Sequence, residues 1–438
     1  MEVKKEISIF WFRRDLRLED NVGLYYALNS KYPVLPIFIF DTDILKKLDD
    51  KNDRRIDYIH QSLDAINLKL REFKTTLNTY IGSPLHLFKE LNEKYSIKSV
   101  FINRDYEPLA IQRDVQIYLY FKAQNIEFTA CKDQVIFDKK DILKSDQSPY
   151  TIYTPYSKKW KETLKSEHYR VYKPNYSNFL KLDNKAIPSL NEIGFTKTDI
   201  IFQKPYLDQK IIENYDKYRD FPYMQHTTQL GIALRFGTIS IRECVGYALS
   251  HNHIWLNELI WREFFMMIIY HFPKVVKECF KHNYDYIQWR NNEEEFERWC
   301  MGETGYPIVD AGMKQLNATG YMHNRIRMIT ASFLCKHLLI DWRWGEAYFA
   351  KKLNDYDLSA NNGNWQWVAG SGCDAAPYFR VFNPKLQMEK FDKNLQYVKQ
   401  WVPKFGTNEY PKEIIAHSEA RERMLICYKR ALELNFIK

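Results

Sequence analysis

Residues 7–12 read ISIFWF and residues 34–40 read VLPIFIF, two short apolar runs bounded by charged residues or a turn. Shorter runs follow at 99–102 (SVFI) and 128–130 (FTA), and helix-like amphipathic segments lie near 54–73, 84–95 and 110–125. Short apolar runs alternating with amphipathic stretches predict a doubly wound parallel sheet covered by helices on both faces, a Rossmann-like α/β domain over residues 1–137. No GxGxxG follows the first run, so the usual phosphate-binding turn of a dinucleotide fold is not visible.

Working outward, the texture changes from about 138 to 215 to Lys, Asp, Asn, Tyr and Pro with little periodicity. That composition predicts a long interdomain linker over the surface. From 216 to 438 the pattern is helical, clearest at Trp255–His271, Tyr306–Ala318 and His323–Leu339, and predicts an all-α C-terminal domain. There is no internal repeat and no low-complexity tract.

The chain has 438 residues, enough for two or three cores. A formal charge of +9 favours a polyanionic partner without naming one. Aromatic residues make up 16%, with 11 Trp and 31 Tyr, which is high for an ordinary globular chain. The seven cysteines show no CxxC, which argues against zinc and iron–sulfur sites and for reduced thiols in a cytoplasmic protein. No apolar stretch reaches membrane-spanning length, so no membrane association is expected.

Two segments carry candidate chemistry. WLNELIWREFF, Trp255–Phe265, places Glu258, Trp261, Arg262 and Phe265 on one helical face, a pattern that an intrahelical Glu258–Arg262 ion pair beside core aromatics also explains. The stretch Asp355–Pro384, DYDLSANNGNWQWVAGSGCDAAPYFRVFNP, is rich in Gly and Asn with few obvious helix formers and reads as a loop able to wrap a polar ligand.

Together with WFRRDLRLEDN (residues 11–21) and TGYPIVDAGMKQLNATGYMHNRIRMITASFL (residues 304–334), these segments resemble the photolyase/cryptochrome family, in family order from residue 7 to about 403. The likeness is closest to class I cyclobutane pyrimidine dimer photolyases. It implies FAD held in the helical domain, with contacts from Tyr215, Thr227, Thr228, Leu230, Trp255, Glu258, Arg262, Asn324, Arg327, Asp355, Asp357 and Asn361. Arg327 and Asp355 are expected to form a buried ion pair beside the ring, and Asn361 to stand next to flavin N5, where an amide tolerates the anionic reduced form. The family's Thr-Ser-Arg-Leu-Ser segment reads Thr227-Thr228-Gln229-Leu230-Gly231 here, so weaker retention of the flavin pyrophosphate is expected.

The same likeness implies a pocket for a flipped-out dimer walled by Trp261 and Trp367, with Glu258 and Asn324 on the pyrimidine edges and Met328 packed against it. Met328 replaces the histidine pair of the (6-4) branch, and His323 reads equally well as a structural histidine. Trp365, Trp342 and Trp289 match a chain that carries an electron to photoexcited flavin. Arg219, Arg325 and Arg380 match phosphate contacts to UV-damaged DNA. Leu109 and Ala110 stand where folate-binding members have an Asn-Glu pair, which leaves a deazaflavin, a flavin or no antenna open. The implied function is light-driven repair of cyclobutane dimers by a monomeric enzyme. A blue-light-sensing cryptochrome and a flavin-containing single-strand binder are the alternatives.

Overall fold

The structure, a computed structural model, describes residues 4–433. Its five strands are β1 (Glu6–Phe12), β2 (Val34–Asp41), β3 (Asn78–Gly82), β4 (Ser96–Asn103) and β5 (Glu127–Cys131). They form one parallel sheet in the order β3-β2-β1-β4-β5. The four expected strands are present, and β3 is the addition. Its sequence, NTYIG, is too polar and short to announce itself.

Alternation along β1 and β2 sorts the core into two layers. Phe10, Phe12, Phe38 and Phe40 pack on one face with Leu63, Ile66 and Leu70 of the helix Arg54–Leu70. Ile9, Trp11, Ile37 and Ile39 pack on the other with Phe88 of the helix Pro84–Lys94 and with Ile117 and Phe121 of the helix Pro108–Ala123. Burying each such side chain stabilises the fold by about 1.5–3 kcal/mol, which is why both faces of the sheet are covered.

The chain divides into two compact units. One gathers the residues up to Asp138 with Leu164–Leu207 and Leu230–Ser250; the other gathers Lys139–Thr163, Asp208–Gln229 and everything from His251. The stretch 138–215, read above as a linker, is thus shared between both units. Residues 230–250, placed by their helical pattern in the C-terminal domain, cluster with the sheet. A buried ion network explains that: Arg242 of the helix Ile241–His251 reaches Asp20 at 3.0 Å and Asp133 at 2.8 Å, and Arg17 reaches Asp133 at 2.8 Å. Burial alone would raise the Asp133 carboxyl, but the two guanidiniums hold it down to about 2.

The second unit is helical, as its periodicity predicted. Its core includes Trp299, Tyr306, Phe333, Trp342, Trp365 and Tyr428. Among the described residues no helix is long and apolar enough to cross a membrane, and no group of three or more metal-ligating side chains is assembled.

Candidate functional site

The polar stretch after Asp355, expected as a loop, is a helix over Leu358–Ala369. The correction has a local cause. Asp357 caps the helix by accepting from the N–H groups of Ser359 (3.0 Å) and Ala360 (3.2 Å), and Gly370 at φ 91° ends it. Its composition reflects close approach instead of flexibility: a Cβ on Gly363 would lie 2.1 Å from Phe265 of the helix His253–His271. Asn362 and Gln366 both donate to the carbonyl of Val275, at 3.0 and 2.9 Å.

A cavity in this unit brings together residues drawn from distant stretches of sequence. Asn324, Arg327 and Met328 line it from the helix Asn324–Ser332, Asp355 and Asp357 from the turn before the capped helix, and Asn361 and Trp365 from that helix. Arg327 donates to Asp355 at 2.9 Å and to the carbonyl of Met322 at 2.7 Å. The ion pair is therefore present but not dry. Side-chain exposures of 26% and 19% reduce its worth to about 1–2 kcal/mol, below the roughly 3–5 of a fully buried pair.

Asn361 donates its amide to the carboxylate of Glu346 at 2.9 Å and to the Glu346 carbonyl at 3.1 Å. This fixes which way the amide faces. Burial raises the Glu346 carboxyl, with the Asn361 hydrogen bond opposing. Glu346 escaped the sequence reading. The one available signal was a lone acid amid aromatics in WRWGEAYF. The rest of the cavity wall is mainly apolar, from Ala331, Phe349, Leu353, Ala360 and Val368, with Tyr356 and Asn364 as its polar members. Apolar walls with a guanidinium–carboxylate pair and an oriented amide at the edge fit a fused aromatic ring with polar edge atoms. Asp355 adds an Oδ1 that is buried and has no hydrogen-bond partner among the described residues.

The other predicted residues have mixed outcomes. Glu258 accepts from Arg219 at 2.5 Å, and the Arg219 guanidinium also lies 5.2 Å from the Tyr215 ring. Arg325 pairs with Asp220 at 2.8 Å and covers Phe391 at 4.5 Å. Two of the three arginines expected to face phosphate thus hold carboxylate partners, whereas Arg380 is exposed and has none among the described residues. Trp255 is buried. Trp261 lies against Tyr153, ring centroids 3.6 Å apart and planes 5° from parallel. Trp367 is half-buried, and no ring contact joins it to Trp261 among the described residues.

Trp365 touches Trp299 at 6.2 Å and Phe349 at 5.0 Å, ring to ring. Trp342 instead lies under Arg343, and Trp289 meets Tyr428 at 5.9 Å. Direct ring contact therefore does not link the three tryptophans of the expected chain, and Trp299 is a neighbour the motifs did not indicate. Thr227 shares a hydrogen bond with Tyr321 at 3.1 Å, and Gln229 is exposed in the left-handed region at φ 50°. Thr228 is half-buried, and Leu230 belongs to the first unit. His323 caps the helix Asn324–Ser332, its Nδ1 accepting from Arg325 N–H at 3.2 Å, and burial pushes its pKa down to about 4. Neutral and capping, it has a structural role. Leu109 is exposed on the helix Pro108–Ala123, with Ala110 half-buried beside it.

Comparison with known proteins places the chain in a family. Residues 255–408 match the family described as the FAD binding domain of DNA photolyase, and residues 8–177 match the DNA photolyase family. A deoxyribodipyrimidine photo-lyase of Synechococcus is 35% identical over 93% of this chain and 90% of its own length. A bacterial class III photolyase from Agrobacterium tumefaciens superposes with a TM-score of 0.87 at 31% identity, covering 99% of each chain. An archaeal photolyase from Sulfolobus tokodaii, solved with two FAD molecules, gives 0.85 at 34% identity, covering 97% of this chain and 100% of its own.

Proposed function

We propose, from the premise that this chain belongs to the DNA photolyase family and carries its FAD binding domain, that it is a deoxyribodipyrimidine photo-lyase acting on cyclobutane dimers in UV-damaged DNA. The observation that carries the reading is the cavity holding the Arg327–Asp355 pair opposite an Asn361 whose amide direction is set by Glu346. FAD held there in reduced form would supply light-driven electron-transfer chemistry.

The residues would contribute as follows. Arg327, Asp355 and Asn361 would hold the ring edge, and an uncharged amide at 361 would leave an anionic ring unopposed. Ala331, Phe349, Leu353 and Val368 would pack on the apolar faces of the ring, while the partly exposed Arg327–Asp355 pair would meet its polar edge. Trp261, backed by Tyr153, would offer a rigid face to an unstacked base pair, and Met328 would fill the space beside it. Glu258, engaged with Arg219, would meet the pyrimidine edge as part of an ion pair. Arg380 would position DNA through phosphate, without reading sequence. The sequence motifs point to class I while the solved structure of similar shape is class III, so we propose the reaction and not the class.

The test is loss of dimers from irradiated oligothymidylate under blue light with reduced, FAD-loaded protein. Equal loss in darkness would reject the light-driven step. A protein that binds FAD but leaves dimers intact would favour the cryptochrome reading.

A further inference from the structure

The helix Asn324–Ser332 runs directly into a single π turn, Phe333–His337. Such a turn inserts a residue into the helical repeat and redirects a side chain. Here it buries a lysine. Lys336 is 1% exposed among Phe333, Leu334 and Cys335. An ammonium removed from water is costly unless it is partnered, and Nζ of Lys336 donates to the backbone carbonyl of Arg380 at 2.7 Å.

That carbonyl belongs to a stretch with little regular structure. Between the helix ending at Ala369 and the one beginning at Pro384, the chain forms turns only, including one in which Arg380 N–H donates to the Pro377 carbonyl at 2.9 Å. Phe379 is 59% exposed there, and the Arg380 guanidinium lies 5.9 Å from the Phe382 ring. A segment without a ladder or helix of its own takes its shape from such tethers.

We infer that Lys336 is a positioning residue for DNA: closing on the Arg380 carbonyl, its buried side chain seats the 377–382 turn so that Arg380 faces a phosphate. This rests on the reading of Arg380 as a DNA contact given above. The groups facing the Lys336 amine are Cys335 and His337 on its own turn and Arg380 across from it. Burial pulls the amine down to about 8, Cys335 opposes, and the Arg380 guanidinium lowers it further. His337, pushed by burial to about 3, is neutral throughout this range.

A phosphate on Arg380 would cancel the repulsion between the two cations. The amine then holds its proton more firmly with DNA than without, and by linkage DNA binding takes up a proton where free Lys336 titrates. The bound state has the higher pKa, so affinity is full below the free value and falls as pH climbs from the free value to the bound one.

The experiment measures affinity of the FAD-loaded protein for a dimer-containing duplex by fluorescence anisotropy from pH 7 to 9.5. Wild type is expected to weaken about 5–10-fold across the range, the size set by the change in pKa. Lys336→Met is expected to start weaker at pH 7 and to give a flat profile, with the flavin spectrum unchanged. Arg380→Ala is expected to weaken binding and to lower the salt slope by about 0.9, the release expected for one phosphate contact. A flat wild-type profile, or a Lys336→Met profile that parallels wild type, overturns the role of Lys336 alone. Unchanged affinity and salt slope in Arg380→Ala overturn the reading of Arg380, and the inference with it. Should Lys336→Met fail to fold, calorimetry of wild type in buffers of different ionisation enthalpy still counts the proton, and no uptake at pH 8 rejects the inference.

Discussion

Tyr153 lies flat on Trp261, 3.6 Å between ring centroids, and its hydroxyl donates to the Asn257 carbonyl one turn earlier on the same helix at 2.9 Å. The stack is thereby pinned at both ends. Tyr153→Ala should weaken binding of dimer-containing DNA by about 10-fold, since an aromatic pair contributes about 0.5–1.5 kcal/mol and its loss also frees the indole to rotate. Tyr153→Phe keeps the ring and should lose little. Anisotropy titrations on both variants decide it, and equal losses would mean that the hydroxyl, not the stack, matters.

Asn361→Asp would put a second carboxylate 2.9 Å from Glu346. Two such groups cannot both ionise cheaply, so one is held protonated and its folded pKa rises. A carboxyl raised on folding loses stability as pH climbs from its unfolded value to its folded one. The variant should therefore be less stable than wild type by about 1–3 kcal/mol at pH 8, and by less at pH 5. Thermal unfolding at both pH values is the check; the same deficit at each would rule out carboxylate repulsion.

Gly345 sits in the helix Trp342–Lys352, where alanine normally gains about 1 kcal/mol in propensity. Here a Cβ would fall 2.1 Å from the Trp365 ring and 2.5 Å from Leu334. Overpacking of about 1–3 kcal/mol wins, because a buried indole has nowhere to go. Gly345→Ala should lower the urea midpoint and alter tryptophan fluorescence. A stabilised variant would show that the core yields there.

Two buried histidines should cost the fold stability as pH falls. Burial holds His323 at about 4 and His337 at about 3, so between the ordinary histidine value and these the unfolded chain binds more protons than the folded one. Their contribution is intact above pH 6.5 and falls below it, by about 2 kcal/mol per histidine at pH 5, while Asp15, raised by burial to about 6, offsets part of the loss. Urea midpoints from pH 7 to 5 measure the slope. His337→Gln should remove about 2 kcal/mol of the loss between pH 7 and 5, and an unchanged slope would remove His337 from the account.

Legibility differed by kind of feature. The apolar runs of β1 and β2 and the periodicity of Trp255–His271 were readable because burial imposes them along the chain. The helix Leu358–Ala369 was not, although its Asp357 cap and its Gly370 stop were both visible. Glycines and asparagines that would weaken an isolated helix are favoured here by the approach of Phe265 and the carbonyl of Val275. Propensity is a local quantity, and packing overrode it.

The α/β-then-α order, the motifs of the family and half of the cavity residues were legible along the chain, since these depend on side-chain type and spacing. Which polar groups already hold partners came from the fold alone. Arg219 on Glu258 and Arg325 on Asp220 are ion pairs between residues far apart in the chain, and the Asn361 amide is claimed by Glu346 of a neighbouring helix. Lys336 shows the same limit, being buried only because a π turn delivers it beneath the Arg380 carbonyl. A charge costs or contributes according to what stands within a few ångströms of it, and that distance is set by the fold, not by the order of residues.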